Sequence, residues 1–158
     1  MLYSQRLMCA LALGAMSLAA QTIPADTVQT TPMVGIATGQ TARLNLLNPG
    51  VLPPTLGVVC TAEVTYFDGA GAVRKTASVT VSPGTSVPVD LRSDVDLSLA
   101  PATRLEIRTI IAIPIVPPPT STSTTTTAPA CKLIPTLEIF DSITGRTQAV
   151  VGKVVSLD

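Results

Sequence analysis

Apolar and polar residues alternate along most of this chain. Between Leu56 and Phe67 an apolar side chain recurs at every second position, and Thr61, Glu63 and Thr65 lie between the later ones. A period of two is typical of a β-strand that buries one face. The apolar face of this segment comprises Val58, Cys60, Ala62, Val64 and Tyr66. The same alternation predicts strands over residues 41–48 and 72–81.

Turn residues separate these segments and define the remaining strands. Asn48-Pro49-Gly50, Asp68-Gly69-Ala70-Gly71 and Ser82-Pro83-Gly84 each follow an alternating run, and the chain holds 14 proline and 10 glycine residues. Valine- and threonine-rich segments between such turns favour strands over helices. Further strands are predicted over residues 33–38, 87–91, 103–116, 132–140 and 146–157. We therefore predict an all-β fold, an antiparallel β-sandwich of about seven to nine strands.

The run from Ile110 to Val116 is apolar on both faces and has two interpretations. It is either a central strand covered on both sides, or an exposed surface for a partner protein. Pro114 lacks a backbone donor, so the sheet should end or bulge there. The partner surface, if present, would consist of Ile110, Ile111, Ile113 and Ile115.

Two predicted hairpins repeat one pattern. Each begins with a cysteine (Cys60 or Cys131), reaches a Phe-Asp pair, turns at glycine and continues after a basic residue, Arg74 or Arg146. We expect the phenylalanine to cap the core and the aspartate to bond backbone N–H groups of the turn. A site built from both aspartates is the alternative. The predicted turn-forming residues are Asp68, Gly69, Gly71, Asp141 and Gly145.

The first 20 residues predict a secretory signal peptide. Arg6 supplies a basic start, residues 7–18 are uncharged and mostly apolar, and Ala19 and Ala20 offer two cleavage positions. The apolar run is shorter than the roughly 20 residues of a spanning helix. Cys9 lies too early for a lipid-anchored cysteine. We expect a secreted protein, or one of the periplasm or cell envelope, with no stable membrane span after processing.

Composition divides the chain after the predicted signal peptide into an N-terminal arm and one domain. Residues 21–32 are polar and are expected to form a flexible arm, and residues 33–158 a single domain. Within it, residues 117–130 (PPPTSTSTTTTAPA) lack large apolar side chains and are expected to be a disordered loop. The residues after this tract are too few for a second core, so they should complete the first.

The predicted export also determines the expected oxidation state of the cysteines. In an oxidising compartment Cys60 and Cys131 are expected to form a disulfide, with a free buried thiol as the alternative. Because the chain has no histidine, two cysteines cannot build a usual zinc site.

Net charge and the residue types present disfavour several partners and catalytic sites. The net charge is +0 and no basic stripe is present, so no nucleic-acid partner is expected. Without histidine there is no Ser-His-Asp triad, and no phosphate-binding loop occurs. Asp90, Asp94 and Asp96 could offer oxygen ligands to Ca²⁺, but the segment lacks the glycine and distal glutamate of an EF-hand. We favour a solvated loop there and predict neither a cofactor nor an enzyme.

The segments VVCTAEVTYFD around Cys60 and CKLIPTLEIFD from Cys131 resemble the cysteine strands of an immunoglobulin-like β-sandwich of secreted or envelope proteins. The resemblance spans residues 33–158 and implies the architecture. The core tryptophan of the antibody-type family is absent, so no functional residue is carried over.

Three functions fit these features. The first is a structural, adhesion or protein-binding module that recruits a partner through an exposed strand edge. The second is a carbohydrate-binding module, for which only Tyr66, Phe67 and Phe140 could stack on sugars. The third is a small secreted enzyme, which the missing histidine disfavours.

Overall fold

A computed structural model describes residues 28–50, 57–114, 131–152 and 155–156. These ranges contain ten strands and no helix, hence no helical segment long and apolar enough to cross a membrane. The strands are β1 Val28–Thr30, β2 Val34–Ala37, β3 Gln40–Leu47, β4 Cys60–Asp68, β5 Val73–Val81, β6 Ser86–Arg92, β7 Arg104–Ala112, β8 Ile134–Asp141, β9 Thr147–Val151 and β10 Val155–Ser156. The predicted signal peptide and the threonine tract lie outside the described residues.

The strands form two antiparallel sheets. The first sheet has the order β10-β1-β7-β4-β5, with β2 also pairing with β7. The second sheet has the order β6-β3-β8-β9. The predicted all-β antiparallel sandwich is confirmed, and its two shortest strands, β1 and β10, lie at one side of the first sheet.

The core lies between the sheets and follows the alternation of the sequence. In β4 every second residue from Cys60 to Asp68 is buried, while the residues between them are exposed or half-buried. Because aromatic residues are scarce, aliphatic side chains fill most of the interior. Fully buried examples are Ile36, Leu44, Leu46, Val64, Val81, Leu91, Ile107, Ile111 and Leu137.

The apolar run at the end of β7 is a covered central strand. β7 lies between β4 and the β1–β2 side of the first sheet, and it ends at Ala112, two residues before Pro114. Ile111 and Ile113 are buried in the core, and Ile110 is half-buried between Thr30 and Thr65. The expected partner surface is therefore wrong for Ile111 and Ile113. Ile115 lies outside the described residues.

The first and last described strands differ from the expectation. β1 lies inside the range that was expected to be a flexible arm. It is held to β7, since Thr30 donates its hydroxyl to the Thr109 carbonyl and the Thr31 hydroxyl accepts the Thr109 N–H. The single strand predicted over residues 146–157 is also wrong. The chain leaves β9 at Val151, and β10 pairs with β1 in the other sheet.

The two sheets repeat one arrangement. In the first, hairpin β4–β5 lies beside β7, which pairs on its other side with β1 and β2. In the second, hairpin β8–β9 lies beside β3, which pairs on its other side with β6. Residues 28–81 and 86–151 are therefore two related halves. In each half the hairpin and the strands on the far side of the neighbouring strand, β1 and β2 or β6, lie in one sheet. The remaining strand, β3 or β7, lies in the sheet of the other half.

Candidate functional site

The turn of hairpin β4–β5 is organised by Asp68. The residue is 3 % exposed, and its side chain accepts the N–H groups of Ala70 and Ala72 at 2.9 and 2.8 Å. Arg74 Nε also donates to it, at 2.8 Å. These bonds, led by that from Ala72, hold the pKa of Asp68 below its ordinary value. Gly71 closes the turn with φ of 85°, a conformation that favours glycine. Asp68 thus satisfies the backbone of its own turn.

Asp141 has the same role in hairpin β8–β9. It accepts the N–H groups of Thr144 and Ile143 at 2.7 and 3.0 Å and the Thr144 hydroxyl at 2.9 Å. The bond from the Thr144 N–H contributes most to lowering the pKa of Asp141. Gly145, with φ of 69°, donates its N–H to the Asp141 carbonyl at 2.9 Å. Each aspartate is therefore bound within its own hairpin.

Each hairpin contains one bulge, at the equivalent position. The two bulges change the correspondence of residues that the sequence suggested for the two hairpins. Phe67 pairs with Val73 and Phe140 with Thr147, and one extra residue follows on each second strand, Arg74 or Gln148. Arg74 therefore corresponds to Gln148 and not to Arg146. The expected match of the two basic residues is wrong, because Arg74 follows the residue that pairs with Phe67, whereas Arg146 precedes the residue that pairs with Phe140.

The phenylalanines do not cap the core as expected. Phe67 and Phe140 lie on the outer faces of their sheets, half-buried, each beneath an arginine from the neighbouring strand. The guanidinium carbon of Arg108 lies 5.1 Å from the Phe67 ring centroid, and that of Arg43 lies 5.0 Å from the Phe140 centroid. Both distances are within the range of cation–π contacts.

The remaining described aromatic residue is internal. Tyr66 is fully buried on β4, and its hydroxyl donates to the Val89 carbonyl on β6 at 2.8 Å, bridging the two sheets. Burial raises the pKa of this hydroxyl. Since sugar-binding platforms need exposed rings, the positions of Tyr66, Phe67 and Phe140 give the carbohydrate-binding hypothesis no support.

The three candidate metal ligands have separate partners. Asp90 forms a two-pronged ion pair with Arg43, both distances being 2.8 Å. Asp96 accepts bonds from Lys75 Nζ and the Arg92 N–H, and Asp94 bonds the N–H of Val95. Among the described residues no group of three histidine, cysteine, aspartate or glutamate side chains could hold a metal ion.

The opposite end of the sandwich holds the disulfide. Cys60, buried at the start of β4, is bonded to Cys131, which precedes β8, with 5.5 Å between their Cα atoms. The bond therefore connects the first sheet to the second at the entrance of both hairpins. The predicted Cys60–Cys131 pairing is present.

Asn48 lies beside this bond and was not recognised from the sequence, where it reads as a strand breaker. Its side chain is buried, and Nδ2 donates to the carbonyls of Val81 and Val58 at 3.1 and 2.8 Å. Its Oδ1 accepts the Gly50 N–H, and its backbone bonds Gly84 and Thr85. One residue thus ties the ends of β3, β4 and β5 together.

The most exposed part of the described chain is the end of hairpin β8–β9. Every residue from Ser142 to Val150 is exposed, including Ile143 at 90 % and Val150 at 61 %. A shallow open depression runs beside it, lined by Asp141, Thr144, Arg146, Thr147 and Gln148. Among described strands only β8 pairs with β9, so the other side of Thr147–Val151 is an unpaired edge, here termed the β9 edge.

Two other edge strands differ from β9. β5 carries Arg74 and Lys75, and Lys75 Nζ bonds both Asp96 carboxylate oxygens at 3.0 Å, which closes that side of the sandwich. β6 carries Pro88 and Asp90. Charged side chains and proline discourage edge-to-edge pairing. The β9 sequence, TQAVV, has neither.

The described strands form a two-sheet antiparallel β-sandwich with an intersheet disulfide and, at β9, an unpaired edge strand without charged residues. Comparison of the chain with family models, with curated proteins and with solved structures finds no match.

The turn carboxylates give an acid-dependent stability. Asp68 has a lowered pKa when folded and an ordinary value of about 3.9 when unfolded. Its contribution is therefore complete above the unfolded value and is lost as the pH falls towards the folded value. We expect the Tm of Asp68→Asn to fall less between pH 7 and pH 2 than that of the wild type, in scanning calorimetry.

Asp94→Asn is the matched control, because the Asp94 side chain is exposed and bonds only the adjacent Val95 N–H among the described residues. Its Tm profile should follow the wild type. Parallel profiles of wild type and Asp68→Asn would contradict the role given to Asp68.

Proposed function

We propose that this chain is an exported, non-catalytic β-sandwich module of the cell envelope or extracellular space that binds other proteins through the β9 edge. The observation that carries this proposal is the combination of an unpaired strand edge, the absence of charge in TQAVV and the exposure of Val150. An open edge offers backbone donors and acceptors to an extended segment of another chain.

Export is supported by the predicted signal peptide and by the disulfide. Disulfides persist in oxidising compartments and are rare in the cytosol. In a reducing compartment Cys60 and Cys131, which are 71 positions apart, would be free thiols, and no covalent bond would join these two segments. These features favour a location outside the cytosol.

An immunoglobulin-like relationship is the finer part of the proposal. The adjacency of β3 to β6 matches strands B and E of that fold, and β5-β4-β7 matches C′, C and F. The chain departs from the constant-type order in its first strands, which pair with β7 instead of β3. β8, which in that order would pair with β7, pairs with β3 instead, so the common part is the pair β3–β6 and the strands β5-β4-β7.

Retention of envelope proteins on immobilised protein tests the proposed binding. The mature wild type is compared with Val150→Lys, which places a charge on the β9 edge, and with Val73→Lys. Val73 is a suitable control because it is 59 % exposed and lies on β5. We expect wild type and Val73→Lys to retain the same proteins and Val150→Lys to lose them, as read by mass spectrometry.

Hydrogen exchange supplies a second readout. A strand added to the β9 edge should slow exchange of the amides within Thr147–Val151 while leaving those of β5 unchanged. Retention that is equal in all three proteins, without slowed exchange in β9, would refute binding at this edge.

A further inference from the structure

The β9 edge is complementary to itself. When two copies of the strand run antiparallel about Val150, Val150 lies opposite Val150, Ala149 opposite Val151 and Gln148 opposite Gly152. β9 contains no charged residue, so every pair formed within Thr147–Val151 is uncharged. No two like charges are therefore brought together, which a pairing of identical strands must avoid.

The faces of the strand agree with this register. Ala149 and Val151 pair with Ile139 and Leu137, whose side chains are buried, so they belong to the core side of the second sheet. Val150 pairs with Glu138 and belongs to the outer side. Each residue would thus meet a residue on the same face of the second copy, as cross-strand pairs require.

The β9 bulge leaves this pairing intact. The extra residue of the strand is Gln148, so the regular part of β9 begins at Ala149. The two-fold centre at Val150 falls inside the regular part. Ala149 remains exposed although it is on the core side, whereas Lys75, the corresponding residue of β5, is half-buried.

We propose that the occupant of the β9 edge is a second copy of this chain, joined by antiparallel pairing about Val150. Two second sheets would then form one continuous sheet with the order β6-β3-β8-β9 followed by its reverse. Such a contact is isologous and closes at two copies. Its short length places it among the small, transient interfaces, so the dimer should depend on concentration. The proposal rests on the proposed function, because both use the β9 edge.

Charge variants at the two-fold centre test the pairing in the full mature protein. Val150→Lys would place two ammonium groups opposite each other, and Val150→Glu two carboxylates. Sedimentation equilibrium over a concentration series should show a dimer for the wild type and an increase in Kd of at least about tenfold for each variant alone. An equimolar mixture of the two variants should dimerise again. Circular dichroism establishes that both remain folded.

Val73→Lys serves as control and should dimerise like the wild type. The proposal is overturned if the wild type is monomeric throughout, if both charge variants still dimerise, or if their mixture stays monomeric. A monomeric wild type that still retains envelope proteins through Val150 would remove the second copy as occupant and keep the proposed function. If the wild type neither dimerises nor retains envelope proteins, both the second copy as occupant and the proposed function are refuted.

Discussion

Reduction of the Cys60–Cys131 disulfide is expected to lower the free energy of unfolding by roughly 4 kcal/mol, since the bond closes a long loop and limits the unfolded chain. The two residues are 71 positions apart. The loss is a large part of the roughly 5–15 kcal/mol that stabilises a typical domain. Urea unfolding of the wild type with and without reductant measures it, because the reduced thiols keep their volume in the core.

Replacement of both cysteines separates the crosslink from the packing. Cys60 is buried and Cys131 half-buried, so Cys60→Ala/Cys131→Ala should lose the same free energy and a small additional amount for the missing sulfur atoms. Adding reductant to this double variant should change nothing. Equal unfolding midpoints for oxidised and reduced wild type would contradict a stabilising role of the bond.

Asn48→Ala is expected to destabilise the protein by about 3 kcal/mol, since it leaves backbone carbonyls without their donor. Asn48 Nδ2 donates to Val81 in the interior and to Val58 near the surface. Its Oδ1 also holds the Gly50 N–H. The side chain therefore supports three segments at the disulfide end, and water has little access to replace it at Val81. Urea unfolding at neutral pH provides the measurement.

Asn45→Ala is the matched control. Asn45 is on the same strand, three residues earlier, and is half-buried on the outer face of the second sheet. Its loss should change the free energy of unfolding by less than about 0.5 kcal/mol, as is usual for surface positions. If both substitutions cost the same, the bonds to Val58 and Val81 do not carry the stability assigned to Asn48.

The alternation of residues was sufficient to predict most strands. β3, β5, β6 and β8 begin and end within two residues of the predicted ranges, because in each strand one face is more buried than the other and the strand ends near glycine, proline or aspartate. The pairing of Cys60 with Cys131 followed from export and from the lack of other mature cysteines. The turn positions of Asp68 and Asp141 were likewise visible in the sequence.

The features that were missed depend on contacts between distant segments. β1 and β10 are too short to show a period. β1 is a strand because it pairs with β7, and β10 because it pairs with β1. The outward orientation of Phe67 and Phe140 follows from the alternation itself, which places Tyr66 and Ile139 inside, whereas the arginines that cover the two rings come from neighbouring strands. The β9 edge is open only because no described strand pairs with its far side.

The exchange of β3 and β7 between the two halves makes the domain an interlocked structure. The second sheet needs β3 from the first half between β6 and β8, and the first sheet needs β7 from the second half beside β4. Neither half can therefore assemble a complete sheet from its own residues. If the chain enters a compartment from its N-terminus, β7 must arrive before the first sheet can close and Cys131 before the disulfide can form. Folding is thereby postponed until nearly the whole chain has arrived.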